Sequence, residues 1–530
     1  MRLLLLLQLA LFPEALLAYN FLVFCPLFGH SHTTFFARIA DVLADAGHNV
    51  TFFTPTICRR FSNVSYIKST AEVVHLEPSD TLANYGDVFE DVDFSKFWTQ
   101  GSTLSEIFPM LQLFNDMYGE QVKVLHDNLE VLDRLKEKKF DVMIFESFVT
   151  CAYPVLDYLE IGTFLPATSV VFDPRIEGWM GQPKFPSAIP LPLSEHDDRM
   201  TLAQRLINAI SPPIFDSLLQ EPVYKSFRPP HSPIDIHALE PEASFLLTNS
   251  NPYIDYPRAV LTKNVQIGGV SVDVEKLKSQ KVTEEYDRIL NLREKTVLVS
   301  FGSVMHSRDM PMEYKTSMIA AMKKFQDVTF IWKYEGNDTA LFSKDIGNVH
   351  FAKWIPQTAL LADSRLSAFL THAGLGSVNE VSYLGKPTIM CPLFADQMRN
   401  AKMLARHNGS IELSKYDLPK PEKLEEAFRK ILFDESYKIA AEKLAHQLEH
   451  QPVKPKELVL RHAEFAARFG RLPSLDPYSR QMSFIQYFLL DVAVIVIAIA
   501  LLVVYIGFRL LKFTLNVVGV VFASRKQKIH

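Results

Sequence analysis

The repeated alternation of short apolar runs with segments of helical spacing constrains the fold of this chain more than any other feature. In the first half, the apolar run 20–25 is followed by helical spacing over 32–46 and by another apolar run at 50–54. Apolar runs at 141–145 and 244–248 extend the series. Strand, helix and strand joined by short turns indicate a parallel sheet that is covered by helices.

A second series of apolar runs begins past the middle of the chain. Separated by helical spacing, these runs occupy residues 296–300, 328–332, 368–371 and 388–391. The pattern predicts an α/β fold with two doubly wound, Rossmann-like domains, an N-terminal one over 19–285 and a C-terminal one over 286–450. Within 451–487, a helical pattern is predicted to cross back onto the first domain before a juxtamembrane segment.

Two long stretches without clear periodicity interrupt the first series, at 60–120 and 175–240. The second is dense in proline and carries mixed charge. Loops at the ends of sheet strands commonly line a binding cleft. We therefore predict that these stretches are irregular and decide which small molecule enters the cleft.

Both ends of the chain carry membrane-related patterns. Residues 1–18 combine a basic start, a leucine run and a small-residue end, as cleaved secretory signals do. The apolar segment 488–508 contains one charge, Asp491, and at about 1.5 Å per residue it covers a hydrocarbon core of roughly 30 Å. The basic segment 509–530 follows, so we predict a cytosolic tail and lumenal domains. The stretch 513–523 is predicted to lie along the membrane surface.

Composition and net charge limit the classes of protein to which this chain can belong. With 530 residues, 48% of them hydrophobic, the chain can fill two or three domains. The net charge is −5, with acids and bases intermixed, so there is no basic stripe for nucleic acid. Cys25 and Cys391 lie in predicted strands and are expected to be core residues rather than disulfide partners. Among the glycosylation sequons, Asn63 and Asn337 are the better candidates, whereas Asn49 enters a predicted core strand.

Residues 354–397 hold an ordered set of side chains along a strand and helix pattern. The set comprises Trp354, Gln357, His372, Gly374, Gly376, Ser377, Glu380, Asp396 and Gln397. An indole can stack on a base, an amide and a carboxylate can bond ribose hydroxyls, and a glycine-rich turn can present helix N–H groups to a diphosphate. The acid and amide at the end of the block suit sugar hydroxyls. This inventory predicts a site for a nucleotide diphosphate that carries a sugar.

The block resembles the signature of the UDP-glycosyltransferases, and among them the animal UDP-glucuronosyltransferases most. The resemblance covers nearly the whole mature chain. It implies the GT-B architecture, with the nucleotide sugar between two domains. It also implies that UDP-glucuronic acid or UDP-glucose serves as co-substrate, without a metal or other cofactor, and that the second substrate is a small lipophilic acceptor.

The turn after the first predicted strand offers a catalytic base. By the resemblance, His32 matches the family's catalytic histidine at the start of the following helix, and His30 is the local competitor. No acidic or cysteine cluster accompanies the two histidines, so we expect no metal there. Relatives place an aspartate past the strand that begins Phe-Asp-Val; here Glu146 follows that strand and is expected to serve, while Asp141 is expected to be structural.

The remaining donor contacts are also assigned by resemblance. Ser303 follows the strand at 296–300 and suits a phosphate. Gly376 replaces an asparagine that many relatives carry, so one donor contact is expected from the backbone alone. Arg399 is either a partner for a sugar carboxylate or, more often for a helix position, a surface charge.

The resemblance therefore implies an inverting glucuronosyltransferase-like enzyme that conjugates small lipophilic acceptors. Its predicted location is the endoplasmic reticulum membrane, because Lys526 and Lys528 resemble a dilysine retrieval signal. One alternative is a catalytically silent UDP-sugar-binding homologue that acts as a lumenal partner subunit. Assembly of the protein as a homo- or hetero-oligomer is left open. A sugar-nucleotide transporter or receptor is disfavoured by the single convincing span.

Overall fold

A computed structural model describes residues 18–90, 95–101, 104–218, 224–344 and 346–527. Residues 1–17 of the predicted signal segment lie outside these ranges, and so does Lys528 in the tail. The chain divides after Leu475 into two compact units.

The first half of the larger unit is a parallel sheet. Its strands are β1 (Asn20–Phe24), β2 (Asn49–Pro55), β3 (Glu72–Leu76), β4 (Val142–Glu146), β5 (Phe164–Thr168), β6 (Leu246–Thr248) and β7 (Asn264–Gln266). Their order is β3-β2-β1-β4-β5-β6-β7, and every neighbouring pair is parallel. The central strand β1 buries Phe21 to Phe24 completely, which explains its unbroken apolar run.

Further helices lie between and after these strands along the chain. They are α1 (His30–Asp45), α2 (Asp80–Glu90), α3 (Lys96–Thr99), α4 (Leu104–Asp127), α5 (Leu129–Lys136), α6 (Ala152–Tyr158), α7 (Pro174–Trp179), α8 (Leu202–Leu218), α9 (Ile236–Leu239), α10 (Val274–Ser279) and α11 (Glu284–Leu290). The buried residues of α3, α10 and α11 belong to cores that include strands of the second half of the unit, whereas α1 packs in the core of the first sheet.

The second half holds another parallel sheet. Its strands are β8 (Lys295–Ser300), β9 (Val328–Lys333), β10 (Val349–Ala352), β11 (Leu366–Thr371), β12 (Thr388–Met390) and β13 (Ser410–Glu412), in the order β10-β9-β8-β11-β12-β13. Its helices are α12 (Met312–Met322), α13 (Gln357–Ala362), α14 (Leu375–Leu384), α15 (Gln397–Ala405), α16 (Pro421–Phe433) and α17 (Glu435–Glu449). The predicted α/β architecture with two doubly wound sheets is confirmed.

One further helix of this unit, α18 (Pro455–Phe469), returns to the first sheet. Its Val459, Ala463 and Ala466 are completely buried in the same core as β1 and α1. The chain therefore crosses from the second sheet back to the first before the unit ends.

The prediction of irregular structure over 60–120 and 175–240 is wrong. The first stretch contains β3 and helices α2 to α4, and the second contains α8. The strand β3 is the edge of its sheet and has mostly exposed residues, so it lacks the apolar run of a buried strand. In the second stretch, prolines concealed the helix, since Pro212 lies inside α8 itself.

Smaller predictions have mixed outcomes. All four cysteines are free and buried, as expected for Cys25 and Cys391. Asn63 and Asn337 are exposed. Asn49 is exposed as well, contrary to our expectation, because it is the first residue of β2, and its side chain donates to Asn20 Oδ1 at 2.9 Å.

The smaller unit contains a short helix, α19 (Phe484–Tyr487), and one long helix, α20 (Leu490–Gln527). The segment Leu490–Ser524 of this helix is long and apolar enough to span a membrane. The helix continues without a break past Phe508. The stretch 513–523, which we predicted to lie along the membrane surface, is therefore part of the same helix as the predicted span.

Candidate active site

A cleft of about 1410 Å³ lies where the carboxyl ends of the strands of both sheets meet. Every predicted site residue except Glu146 lines it, and Glu146 contacts one that does. We call His32, Glu146 and Ser169 the first-sheet side, and Lys333, Trp354, Gln357, His372 and Glu380 the second-sheet side. Ligands of open α/β sheets bind at this end of the strands.

The first-sheet side brings together residues that are far apart in the chain. His32 lies in the first turn of α1, and its Nδ1 is 3.1 Å from Oε2 of Glu146, the last residue of β4. Ser169 directly follows β5, and its Oγ is 2.6 Å from the same Nδ1. The amide of Ser169 donates to the other oxygen of Glu146 at 2.9 Å. Ser169 thus contacts both members of the pair.

This arrangement leaves one nitrogen of His32 available for chemistry. The side chain of Glu146 is 1% exposed, whereas that of His32 is 26% exposed and faces the cleft. A proton on Nδ1, donated to the Glu146 carboxylate, leaves Nε2 as a proton acceptor. Glutamate in place of the family's aspartate therefore still reaches the ring.

Aromatic rings surround His32 on the first-sheet side. Phe28 and Phe148 lie 4.9 and 5.6 Å from its ring, between centroids. Phe114 and Tyr118 pack against Phe28 at 5.9 and 6.4 Å. Because these rings line the cleft next to His32, they offer an apolar surface to a second ligand.

His30 has different neighbours from His32. Its Nδ1 is 3.2 Å from the Tyr66 hydroxyl, and its ring is 6.2 Å from that of Trp354. Burial and the nearby Arg60 charge lower the pKa of His30. No carboxylate bonds to His30 among the described residues, so it lacks the partner that His32 has.

Trp354 presents an open aromatic face on the second-sheet side. Its side chain is 66% exposed although it lines the cleft. Tyr286 donates to its backbone carbonyl at 3.1 Å, and the Lys333 ammonium lies 5.7 Å from the ring centroid. A large exposed indole held in place this way can stack on a nucleobase.

Gln357, Ser377 and Glu380 form one hydrogen-bonded group. Gln357 Nε2 donates to Glu380 Oε2 at 2.7 Å and to Ser377 Oγ at 3.0 Å. Thr358, which the sequence analysis did not single out, donates to the other oxygen of Glu380 at 2.6 Å. Burial raises the pKa of Glu380, against which the bonds from Thr358 and Gln357 act. The carboxylate is therefore fixed in direction before any ligand binds.

His372 is held between two glycines. A Cβ at Gly302, whose φ is +90°, would meet the His372 ring at 2.5 Å, and one at Gly374 would meet it at 2.7 Å. Both positions require glycine for this close approach. The pKa of His372 is lowered to about 4, mainly by burial and to a smaller extent by the charge of Lys333. The ring is thus neutral near pH 7 and can donate a hydrogen bond.

The positive charge next to His372 belongs to Lys333, the last residue of β9. Its Nζ donates to the Gly302 carbonyl at 2.7 Å and pairs with Glu335 at 2.8 Å. Lys333 lines the cleft and was missed because it directly follows an apolar strand run. A lysine at the carboxyl end of a strand was the available signal.

The start of α14 completes the wall beside His372. Gly374 caps this helix without a side-chain hydrogen bond, so the first N–H groups remain open to a ligand. A Cβ at Gly376 would meet nothing within 4 Å, so there is open space beside this residue. Ser303 lies in the turn after β8 and lines the same part of the cleft.

Asp396 and Gln397 are set in place by their own neighbours. The backbone amides of Leu393 and Phe394 donate to Gln397 Oε1 at 2.9 and 3.2 Å. Asn400 donates to Asp396 at 2.8 Å. Burial raises the pKa of Asp396, and the bond from Asn400 and the charge of His32 oppose that rise. Asp396 and His32 both line the cleft.

Arg399 is neither of the two things we predicted. It is completely buried in α15, where Nη2 pairs with Asp255 at 2.6 Å and Nε donates to the Pro190 carbonyl at 3.1 Å. It does not line the cleft. Asp141 is structural, since it accepts the backbone amide of Asn20 at 2.8 Å. No group of three or more metal-binding side chains occurs in the described ranges.

Comparisons with known proteins identify the family of this chain. The family model described as "UDP-glucoronosyl and UDP-glucosyl transferase" matches residues 22–525. Human UDP-glucuronosyltransferase 1A1 is 29% identical over 416 residues, which are 77% of this chain and 76% of that protein. A putative UDP-glucuronosyltransferase of Caenorhabditis elegans, ugt-56, is 30% identical over 426 residues, 78% of each chain.

Solved structures share the fold at lower identity. Os79 from O. sativa, in complex with UDP, is 16% identical with a TM-score of 0.57, over 85% of this chain and 100% of its own. A UDP-glucosyltransferase from Polygonum tinctorium gives a TM-score of 0.60 at 16% identity, over 85% and 99%. These likenesses show the GT-B fold. Because the family model matches almost the whole chain, the chain belongs to the UDP-glucuronosyl and UDP-glucosyl transferase family and is a UDP-sugar glycosyltransferase.

Proposed function

We propose that this enzyme transfers glucuronic acid or glucose from the UDP-sugar to a hydroxyl or similar nucleophile of a small lipophilic acceptor, with inversion. The observation that carries the proposal is the bond between His32 and the buried Glu146, at 3.1 Å, in a cleft that also holds the nucleotide-type groups of the second sheet. The aromatic rings around His32 support an apolar acceptor.

In the proposed step, His32 Nε2 takes the proton of the acceptor hydroxyl as that oxygen bonds to the anomeric carbon. The bond between that carbon and the UDP oxygen breaks, and UDP leaves with the electron pair. Glu146 stabilises the imidazolium that forms, because its carboxylate accepts a hydrogen bond from Nδ1–H. Attack from the side opposite to UDP turns an α-linked sugar into a β-glycoside.

The leaving diphosphate needs stabilisation of its developing charge. We assign this role to the amides at the start of α14, to Ser303, to a hydrogen bond from neutral His372 and to the Lys333 ammonium. Trp354 would stack on uracil, and Gln357 and Glu380 would bond the ribose. Asp396 and Gln397 would bond the sugar hydroxyls, since both line the cleft and are held by neighbours.

We propose that the enzyme is anchored in the endoplasmic reticulum membrane, with its catalytic domains in the lumen. The candidate span Leu490–Ser524 and the basic residues that follow the predicted span support this orientation. Protease treatment of sealed microsomes should remove only a short tail. Digestion of the domains in sealed microsomes would contradict the orientation.

The activity is tested with microsomes that contain the full chain. They are incubated with UDP-glucuronic acid or UDP-glucose and a panel of phenols and steroids, and products are read by mass spectrometry. We expect a β-linked conjugate with at least one donor. If UDP binds but neither donor gives a conjugate, the chain is a silent homologue and the enzyme proposal fails.

His446→Ala is the matched control for substitutions of the base. His446 lies on the exposed surface of α17, where its ring is 4.2 Å from that of His450 between centroids, and it does not line the cleft. We expect its turnover to equal that of the wild type. His32→Ala should lack turnover but retain UDP binding.

A further inference from the structure

A chain of hydrogen bonds joins the donor-binding helix of the second sheet to the histidine of the first sheet. It starts at Asn379 in α14, which is 3% exposed and directly precedes Glu380. Asn379 Nδ2 donates to Oδ1 of Asn249 at 3.2 Å. Asn249 Nδ2 donates in turn to the backbone carbonyl of Ser169 at 2.8 Å. Ser169 then contacts His32 and Glu146.

The strand register explains why Asn249 meets Ser169. Thr168 and Thr248 are paired at the carboxyl ends of β5 and β6, so the next residue of each strand lies at the same edge. The backbone amide of Asn249 also donates to the Thr168 carbonyl, at 3.0 Å. The side-chain oxygen of Asn249 thus bonds to the second half of the unit and its side-chain nitrogen to the first half, so the orientation of this side chain is fixed.

We propose that Asn249 and Asn379 are positioning residues that tie the orientation of His32 to the donor-binding helix. The inference rests on the proposed function, because it concerns the base of that reaction. The same helix presents Ser377 and Glu380 to the donor, so its placement sets both the donor and, through Ser169, the imidazole. Neither asparagine belongs to the groups that the sequence analysis assigned.

The side-chain chemistry of Asn249 is specific to this role. An amide accepts from Asn379 with its oxygen and donates to Ser169 with its nitrogen. A carboxylate at this position would face the Ser169 carbonyl without a proton to donate, and alanine would leave both partners unpaired. Asn249→Asp and Asn249→Ala should therefore have similar effects.

Asn251 provides a matched control on the same loop. It is 3% exposed, and its amide donates to the hydroxyl of Tyr383, which is also in α14, at 3.0 Å. It donates to the Gly268 carbonyl at the same distance. It thus links the two halves of the unit as Asn249 does, but it has no bond to Ser169. A purely structural link should give the same result at both positions.

The test measures kcat, the KM for UDP-sugar and the Kd for UDP in the full-length enzyme. In Asn249→Ala and Asn379→Ala we expect kcat to fall roughly 10- to 100-fold, because misplacement of a catalytic group by about 1 Å costs up to 100-fold. The KM and the Kd should stay within about threefold of wild type, since neither residue bonds a predicted donor contact. Asn251→Ala should retain a kcat within about threefold of wild type.

A double-mutant cycle adds a second readout. Once one bond of the chain is broken, breaking the next should cost little, so the double variant Asn249→Ala/Asn379→Ala should be no slower than the slower single variant. A kcat within about threefold of wild type in folded Asn249→Ala would overturn the inference. So would effects that multiply in the double variant, or an equal loss of kcat in Asn251→Ala. If Asn249→Ala does not fold, Asn379→Ala decides by the same criteria.

Failure of this inference differs from failure of the proposed function. If the wild-type enzyme turns over and the Asn249 and Asn379 variants have the same kcat, the proposed function stands and the proposed role of the two asparagines is wrong. A wild-type enzyme with no turnover removes the proposed function, and the inference falls with it.

Discussion

The second-sheet side of the cleft takes most of its groups from the continuous segment 354–397, whereas the first-sheet side is assembled from distant parts of the chain. His32 and Glu146 are 114 residues apart, and His32 and Ser169 are 137 apart. Gln357, Ser377 and Glu380 bond one another within one half of the unit. The donor groups are thus ordered locally, while the base depends on the packing of several strands.

This difference implies that the two sides control different steps. Substitutions on the second-sheet side should weaken UDP binding, because the groups there are prepared for a nucleotide. Substitutions on the first-sheet side should slow turnover while UDP still binds. The following predictions can break or sharpen that division.

The largest effect is expected from His32→Ala. Loss of a general base costs typically about 10²- to 10⁴-fold, so kcat should fall by that amount. The Kd for UDP, measured by calorimetry, should not change, because His32 lies on the opposite side of the cleft. Weaker UDP binding in this variant would contradict the division between the two sides.

A smaller effect is expected from Trp354→Ala. Stacking of a base on an aromatic side chain is worth about 1–3 kcal/mol, so the Kd for UDP should rise roughly 30-fold. Trp354→Phe should keep most of the affinity, since a ring remains. The same titration decides the matter: an unchanged Kd in Trp354→Ala would show that the indole does not bind uracil.

Lys333→Met should weaken UDP binding by about tenfold, because a charged hydrogen bond is worth about 1.5 kcal/mol or more. Lys315→Met is the control. Lys315 is also a buried lysine of this half, pairs with Asp338 at 3.3 Å and does not line the cleft. Equal losses of UDP affinity in both variants would indicate general damage rather than a contact with the diphosphate.

The last prediction concerns the dependence of stability on pH. The pKa of His372 is lowered from 6.5 to about 4. Between these values the unfolded chain binds a proton that the folded chain does not, so this group destabilises the fold as pH falls, by at most about 1.4 kcal/mol per pH unit. His372→Gln has no imidazole at this position and should not lose folding stability for this reason. Its melting temperature should therefore fall less than that of wild type between about pH 7 and about pH 5. Equal falls would contradict the burial of the ring.

The sequence predicted the fold where strands are buried and uniformly apolar. The runs that became β1, β2, β4, β6, β8, β9, β11 and β12 all follow this pattern. β3, β7 and β13 were missed because each is an edge strand of its sheet and contains polar, partly exposed residues. β5 contains Pro166 within a central position of the sheet, which is unusual for a residue without an N–H.

The same reasons explain the gaps in the predicted site. Ser169 follows β5, a strand that the proline concealed, so its proximity to His32 could not be anticipated. Lys333 ends an apolar strand and has no motif around it. Arg399 was misjudged because its partner, Asp255, is 144 residues away. By contrast, the residues of 354–397 lie in one continuous segment that resembles a family signature, so the sequence analysis could assign them to one site.

The most direct test of the central claim is a structure of the enzyme with a non-transferable UDP-sugar analogue and an acceptor. We predict that uracil stacks on Trp354 and that the diphosphate meets the start of α14. The acceptor oxygen should lie within about 3 Å of His32 Nε2 and face the anomeric carbon. A nucleotide bound elsewhere in the cleft, or an imidazole turned away from the acceptor with Nε2 out of reach, would contradict this account.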